Sequence, residues 1–248
     1  MKVECKNKYK MDYSYLDKNL KLKINECFNL AQNNATEYFK KFNEDNLYVK
    51  DNYNAVWVIS KSKIHIYRNP TWLEIIHGES FTPLVKPIRI ETETKFISKN
   101  NELVFIANQQ SCLLDIDTRK IRKIDTVAFP NDIEKENTLF NNNYQKLNDR
   151  FEESDLVYEK KVHSQDIDFS NHVNNAVYVR DIMNSLSNDF LDKVSITDVE
   201  MHYIAESNEG QILKIYKKEL ENNIIRFLIK EKEREIIRAS ISYSKNDL

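Results

Sequence analysis

The sequence predicts an α+β chain of two similar units in tandem, each an antiparallel sheet wrapped around a central helix. Three observations lead there. The order strand, helix, antiparallel strands occurs twice, on either side of a polar segment at residues 131–153. Apolar residues recur at helical spacing from Ile24 to Phe42 and again from Val179 to Phe190. Only two glycines, Gly78 and Gly210, occur in 248 residues, which removes nucleotide folds built on glycine-rich phosphate loops.

In chain order, Val3, Cys5, Tyr9, Met11, Tyr13 and Tyr15 alternate with polar residues and predict a strand over residues 2–15. Cys27, Phe28, Ala31, Ala35, Tyr38, Phe39 and Phe42 then form the one-sided stripe of a long helix. After a polar loop, Ala55 to Arg68 passes from a continuous apolar run into alternation, as a long strand does when one end is central, and Pro70 ends it. Further strands are expected around Trp72 to Thr82, at Ile88 to Ile97 and at Glu102 to Asp115. With glycine scarce, turns fall to Asn, which tolerates the left-handed conformation: Asn100-Asn101 and Asn222-Asn223 sit where hairpins are expected.

The second unit repeats the order. Leu156 to His163 reads as a strand, and a helix reaches about Leu191 on the spacing Val179, Ile182, Met183, Leu186, Phe190. Strands follow at Val194 to Ala205, Gln211 to Glu219, Ile224 to Lys230 and Glu235 to Ser244. The expected division is a unit at 1–130, a linker at 131–153 and a unit at 154–248. Aligning Asp17-Lys18-Asn19-Leu20-Lys21 on Asp168-Phe169-Ser170-Asn171-His172 puts Lys21 where the second unit has His172. One site per chain, on the second unit, is the expectation.

Composition narrows the function classes. With 41% apolar and 31% charged residues the chain has an ordinary globular make-up. No run approaches the roughly 18 apolar residues of a membrane helix, and MKVECKNKYK lacks the apolar segment of a signal peptide, so a cytoplasmic protein is expected. A formal charge of −2 argues against nucleic acid or an anionic membrane as the main partner. Arg119, Lys120, Arg122 and Lys123 form a local basic cluster, open to reading as solvated surface or as a docking patch for an acidic protein. Cys5, Cys27 and Cys112 match no metal spacing and the five histidines are scattered, so neither a metal nor a cofactor is expected.

The chemistry is concentrated in DIDFSNHVNNAVYV, from Asp166 to Val179. Two carboxylates, a hydroxyl, an imidazole and three carboxamides precede a helix start. Unpaired N–H groups there favour a carbonyl or a developing oxyanion. The plainer reading is that Asp168 and Ser170 supply capping oxygens and His172 lies on the surface nearby.

Asp168, Ser170, His172, Val173, Asn174, Asn175 and Tyr178 resemble the D-x-N-x-H-V-N-N-x-x-Y signature of acyl-acyl carrier protein thioesterases, which are double hot-dog enzymes of plant plastids and bacteria. Ser170 stands where the family usually has Asn. Tyr203-Ile204-Ala205-Glu206-Ser207 resembles the family's second motif, with Glu206 three residues after the Tyr and Ser207 where plant members carry Cys. WVISKSKIHIYRNPTW is similar to the family's Trp-Val strand and following Arg-x-Pro-x-Trp turn.

The resemblance implies a tandem hot-dog and hydrolysis of fatty acyl-acyl carrier protein to free fatty acid. It also implies a catalytic set of Asp168, Ser170, His172 and Glu206. Imidazole and a buried carboxylate are the side chains suited to proton transfer near neutral pH. Asp168 would orient His172 or the water, and N–H groups around Asn174 and Asn175 would hold the thioester oxygen. The first unit, with the helix Cys27 to Phe42 and the strand bearing Trp57, would supply the acyl pocket, although core packing explains the same residues. Acyl carrier protein is the implied partner and a homodimer is compatible with the layout. The alternatives are an acyl-CoA thioesterase, since single hot-dog enzymes use a related loop, and a non-catalytic acyl-binding hot-dog module.

Overall fold

A computed structural model describes residues 5–130 and 137–246. Val3 of the expected first strand, residues 131–136 of the expected linker and residues 247–248 lie outside the described residues. The chain divides into two compact units. One takes residues up to Leu22, Asn29–Ser62 and Tyr67–Asn143, and the other takes Lys23–Phe28, Lys63–Ile66 and Tyr144 onward.

The elements up to residue 122 are β1 (Lys6–Lys10), α1 (Ile24–Lys40), α2 (Asn46–Tyr53), β2 (Ala55–Ile66), β3 (Ile75–Lys86), β4 (Arg89–Ser98), β5 (Leu103–Asp115) and β6 (Ile121–Arg122); all lie in the first unit except the first turn of α1 and the last four residues of β2. The sheet runs β1-β3-β4-β5-β2, with β6 added to β5. α1 carries the expected stripe, burying Cys27, Phe28, Leu30, Ala31, Tyr38 and Phe39. Each such large apolar side chain contributes roughly 1.5–3 kcal/mol on burial. One buried member of that face is polar. Asn34 donates to Ser80 Oγ at 2.6 Å and accepts from Asn7 Nδ2 at 2.7 Å, and Ser80 bonds the Thr94 hydroxyl at 2.7 Å. Gly78 makes this approach of helix to sheet feasible, because a Cβ there would lie 2.7 Å from Asn34 Oδ1 and 2.8 Å from Phe96 Cε1.

Two expectations for this unit are corrected. The first strand ends at Lys10 rather than running to Tyr15, because Asp12 starts a turn: Ser14 N–H donates to its carboxylate at 3.0 Å, and Tyr13 is 82% exposed. The polar loop after α1 contains a helix, α2, whose sequence signal was its cap. The Asp45 side chain accepts from Leu47 N–H and Tyr48 N–H, and Asn54 closes the C-terminus in the left-handed region.

The second unit comprises β7 (Leu156–Lys161), α3 (Asn175–Asn184), α4 (Asn188–Lys193), β8 (Val194–Tyr203), β9 (Ile212–Leu220), β10 (Ile224–Glu231) and β11 (Arg234–Lys245), with sheet order β8-β11-β10-β9-β7. The single helix expected to reach Leu191 is two. Ser185 closes α3 by bonding Ile182 C=O at 2.6 Å, and Ser187 caps α4 by accepting from Phe190 N–H at 3.2 Å. Phe190 therefore leaves the apolar stripe and packs on Tyr243 with ring centroids 5.1 Å apart. Local capping outweighed a continuous helical period. The expected Asn turns are present: Asn101, Asn222 and Asn223 have φ of 62°, 60° and 57°.

Each unit opens on the same turn. In the first, Leu16 bridges Leu22, Asp17 N–H donates to Lys21 C=O at 2.8 Å, Asn19 N–H donates to the Asp17 carboxylate at 2.8 Å, and Leu20 has φ 57°. In the second, Ile167 bridges Val173, Asp168 N–H donates to His172 C=O at 3.0 Å, Ser170 N–H donates to the Asp168 carboxylate at 2.9 Å, and Asn171 has φ 66°. In these four features the alignment of Asp17 on Asp168 holds, although Lys21 N–H also donates to the Asp17 carboxylate at 2.9 Å, a bond His172 N–H does not make to Asp168. The architecture is the double hot-dog.

The polar segment around the unit boundary is held by hydrogen bonds where it is described. Buried Glu93 accepts from Thr138 Oγ1 and Leu139 N–H, both at 2.6 Å, in the first unit. In the second, Gln145 N–H donates to Glu200 at 2.8 Å and Arg238 donates to Asp149 C=O at 2.8 Å.

Candidate active site

His172 and Glu206 are 34 residues apart in the chain and in contact in the second unit, with His172 Nε2 3.2 Å from Glu206 Oε2. The cause is a backbone bond one residue further along each segment. Val173 N–H donates to Ser207 C=O at 2.9 Å, so the motif loop docks against the chain leaving β8. On the other side, Ile204 N–H donates to Ile236 C=O at 2.9 Å and Arg234 donates to Glu206 C=O at 3.0 Å, which hold that chain against β11. The imidazole side chain is 26% exposed and the carboxylate 39%, so water reaches both.

Asp168 belongs to the loop rather than to the imidazole. Its Oδ1 accepts from Ser170 N–H at 2.9 Å and from the Ser170 hydroxyl at 2.5 Å, and its Oδ2 accepts from Asn174 Nδ2 at 3.4 Å. Ser170, being spent on Asp168, supports the turn that presents His172.

Asn174 is the N-cap of α3, its side chain accepting from Ala176 N–H at 2.9 Å, while its own N–H donates to Asp166 C=O at 2.9 Å. Asn175 is the first residue of α3, and its N–H has no hydrogen-bond partner among the described residues. Of the two backbone donors expected for a thioester oxygen, Asn175 is the one left open. Trp57 is a core residue of the first unit. Its ring lies 5.4 Å from Phe39 and 6.1 Å from Phe129, and its Nε1–H donates to Glu44 C=O at 2.9 Å.

Ser207 is fully buried, and its hydroxyl makes no hydrogen bond of ordinary geometry among the described residues. The nearby Tyr178 hydroxyl is pushed up to about 12 by burial, against an opposing interaction with Ser207, and it too lacks a hydrogen bond of ordinary geometry. Neither hydroxyl is placed as an accessible nucleophile.

Sequence reasoning missed the ionic lock beneath the loop. Lys160 Nζ on β7 lies 3.0 Å from both carboxylate oxygens of Asp181 on α3 and 3.0 Å from Asp166, and Arg180 reaches Asp166 at 2.5 Å. Burial alone would raise the Asp166 carboxyl, but the His163 N–H, Lys160 and Arg180 together hold it below the usual range; Asp181 is raised by deeper burial that Lys160 offsets only in part. The signal available was Asp181 itself, a charge inside the apolar stripe Val179, Ile182, Met183.

A model of the acyl-ACP thioesterase N-terminal domain matches residues 2–128, and one of the C-terminal domain matches residues 149–245. The chain belongs to the acyl-ACP thioesterase family. A relative in this family, oleoyl-acyl carrier protein thioesterase 2, chloroplastic, of Arabidopsis thaliana, is 23% identical over 191 residues, covering 69% of this chain and 50% of its own length. The chain spans about half the length of the curated relatives it matches.

Two solved acyl-ACP thioesterase structures share the fold. An acyl-ACP thioesterase from Bacteroides thetaiotaomicron superposes with TM-score 0.82 at 19% identity, covering 96% of this chain and 97% of that one. The 12:0-ACP thioesterase of Umbellularia californica superposes with TM-score 0.85 at 15% identity, covering 97% of each. Among the described residues no helix is long and apolar enough to cross a membrane.

Proposed function

We propose that this acyl-ACP thioesterase family member hydrolyses the thioester of a fatty acyl group on acyl carrier protein, releasing free fatty acid and ending chain elongation. The observation that carries this reading is the 3.2 Å contact of His172 with Glu206 at a water-accessible position. An imidazole paired with a carboxylate is a proton acceptor and donor suited to neutral pH. Water is the nucleophile: its oxygen bonds to the thioester carbon while its proton passes to the Glu206 and His172 pair. Asn175 N–H, at the positive end of α3, stabilises the oxyanion. Collapse of the tetrahedral intermediate breaks the C–S bond, and the pair returns the proton to the departing sulfur. Asp168 and Ser170 serve this chemistry by fixing the loop that carries His172.

The first unit is proposed to hold the acyl chain and the second the reacting thioester. Acyl carrier protein is the proposed partner, by the printed names of the relatives and by family. Turnover of matched acyl-carrier protein and acyl-CoA substrates over a series of chain lengths tests this directly. Faster cleavage of the carrier-linked series is expected. A reversed preference would assign the chain to coenzyme A thioesters, and no cleavage of either would assign it to acyl binding without catalysis.

A further inference from the structure

The loop from Asp166 to Asn174, which carries Asp168 and His172, is closed at its own base: Asn174 N–H donates to Asp166 C=O at 2.9 Å and Ile167 bridges Val173. Asp166 also holds α3 by its side chain. Its Oδ1 accepts from Arg180 Nη2 on α3 at 2.5 Å, and its Oδ2 accepts from His163 N–H at 3.0 Å and lies 3.0 Å from Lys160 Nζ on β7. One residue therefore grips α3 at two points, the N-cap through its carbonyl and the second turn through its carboxylate. The fold itself does not require this lock. Extending the alignment of Asp17 on Asp168 without a gap sets β1 on β7 and the start of α1 on the start of α3. It places Tyr9, Tyr15, Asn29 and Leu30 at the positions of Lys160, Asp166, Arg180 and Asp181. None of the four is charged, yet the first unit makes the corresponding turn and helix. Leu30 is 2% exposed at the place of Asp181, so an apolar alternative exists that avoids the cost of desolvating ions. The charged set occurs only in the unit that carries the imidazole.

We propose that Asp166 is a positioning residue of the reaction, with Lys160 and Arg180 as its supports. The inference rests on the thioesterase reading above and deepens it. The group positioned is Asn175 N–H. It follows directly on Asn174, whose N–H is clamped on the Asp166 carbonyl, so the placement of Asp166 relative to α3 fixes where that open donor points. An oxyanion donor helps only when it already stands where charge develops, and a small displacement lowers its contribution steeply. His172 and Glu206 keep a separate anchor, the bond of Val173 N–H to Ser207 C=O. Loss of the lock therefore weakens the oxyanion donor and leaves the acid and base pair and the binding of substrate in place.

The test uses three variants of the full chain. Asp166→Asn keeps the size and the backbone carbonyl and removes the charge; Arg180→Met removes the contact to α3 from a side chain that is 44% exposed; Arg180→Lys keeps a cation there. Expected for the first two is a fall in kcat on acyl-carrier protein of about fivefold or more, with KM within about twofold and the pH profile of the rate unshifted. Arg180→Lys should recover most of the loss. Amide hydrogen exchange supplies a readout apart from turnover: the N–H groups of Asn174 and Val177, bonded to Asp166 C=O and Asn174 C=O, should exchange faster in Asp166→Asn, with β8 and β11 unchanged. A smaller fall in kcat in either folded variant, a larger rise in KM, a shifted pH profile, no recovery in Arg180→Lys, or exchange that is unchanged or faster throughout overturns the inference. If Asp166→Asn does not fold, Arg180→Met decides on the same criteria. If the parent cleaves no thioester, the thioesterase reading fails separately and exchange decides: faster exchange confined to Asn174 and Val177 supports the clamp, and any other pattern overturns it.

Discussion

Val173 N–H donates to Ser207 C=O at 2.9 Å, and that backbone bond, one residue beyond each, brings His172 to within 3.2 Å of Glu206. The pairing is enforced by main chain, so the side chains can be replaced without losing the docking of loop on strand.

Glu206→Gln and His172→Ala should each lower kcat on acyl-carrier protein by 10²-fold or more, the span typical of a lost acid or base. Ser207→Ala should retain most of the turnover, since its buried hydroxyl touches nothing that reacts. Steady-state rates on one purified series check this. Loss at Ser207 with retention at Glu206 would reverse the assignment.

The duplicated turns allow a comparison within one molecule. Asp17→Ala and Asp168→Ala each remove a carboxylate that accepts from the N–H two residues on, at 2.8 and 2.9 Å. Each should cost about 1 kcal/mol of stability. Only Asp168→Ala should also reduce kcat, because its turn presents His172 whereas the Asp17 turn presents Lys21. Denaturant melts alongside kcat separate the two effects.

Lys160→Met leaves Asp181, fully buried, with only the more distant Arg180 at 4.0 Å, and should destabilise the protein by about 3–5 kcal/mol. Lys160→Met with Asp181→Leu should recover much of that loss, because Asp181 no longer carries a buried charge and Asp166, which also loses Lys160, keeps Arg180 as its cation. A double-mutant cycle by chemical denaturation measures the coupling.

Glu44 supplies a pH dependence. Its carboxyl is buried, with neither oxygen in a hydrogen bond of ordinary geometry among the described residues, and burial pushes it from 4.5 up to about 7. Below 4.5 it is protonated in both states. Between 4.5 and 7 the unfolded chain releases the proton and the folded chain keeps it, so stability falls as pH rises through that window and levels off above it. Glu44→Gln should be more stable than the parent at pH 8, by on the order of 1–3 kcal/mol, and should flatten the dependence. Thermal melts at pH 5 and pH 8 report both.

Much of the fold was legible because each element repeats its own signal. The stripe from Cys27 to Phe39 defines α1 without reference to any neighbour, and the alternation of Ile64 and Ile66 does the same for the end of β2. Where the reading failed, a local hydrogen bond had overridden periodicity: Asp45 capping α2, Ser187 splitting α3 from α4, Asp12 turning the chain after β1.

By itself the sequence determined that there are two like units, that only the second carries an imidazole in its opening turn, and which residue types gather there. These are properties of spacing along one chain. The tertiary structure alone decided that Glu206 meets His172, that Asp168 serves the loop, that Asn174 N–H is already taken and Asn175 N–H is open, and that Lys160 locks Asp166 and Asp181 under the loop. Such partnerships depend on which backbone groups pair between distant segments, and a hydrogen bond such as Val173 to Ser207 leaves no mark on the identity of either residue.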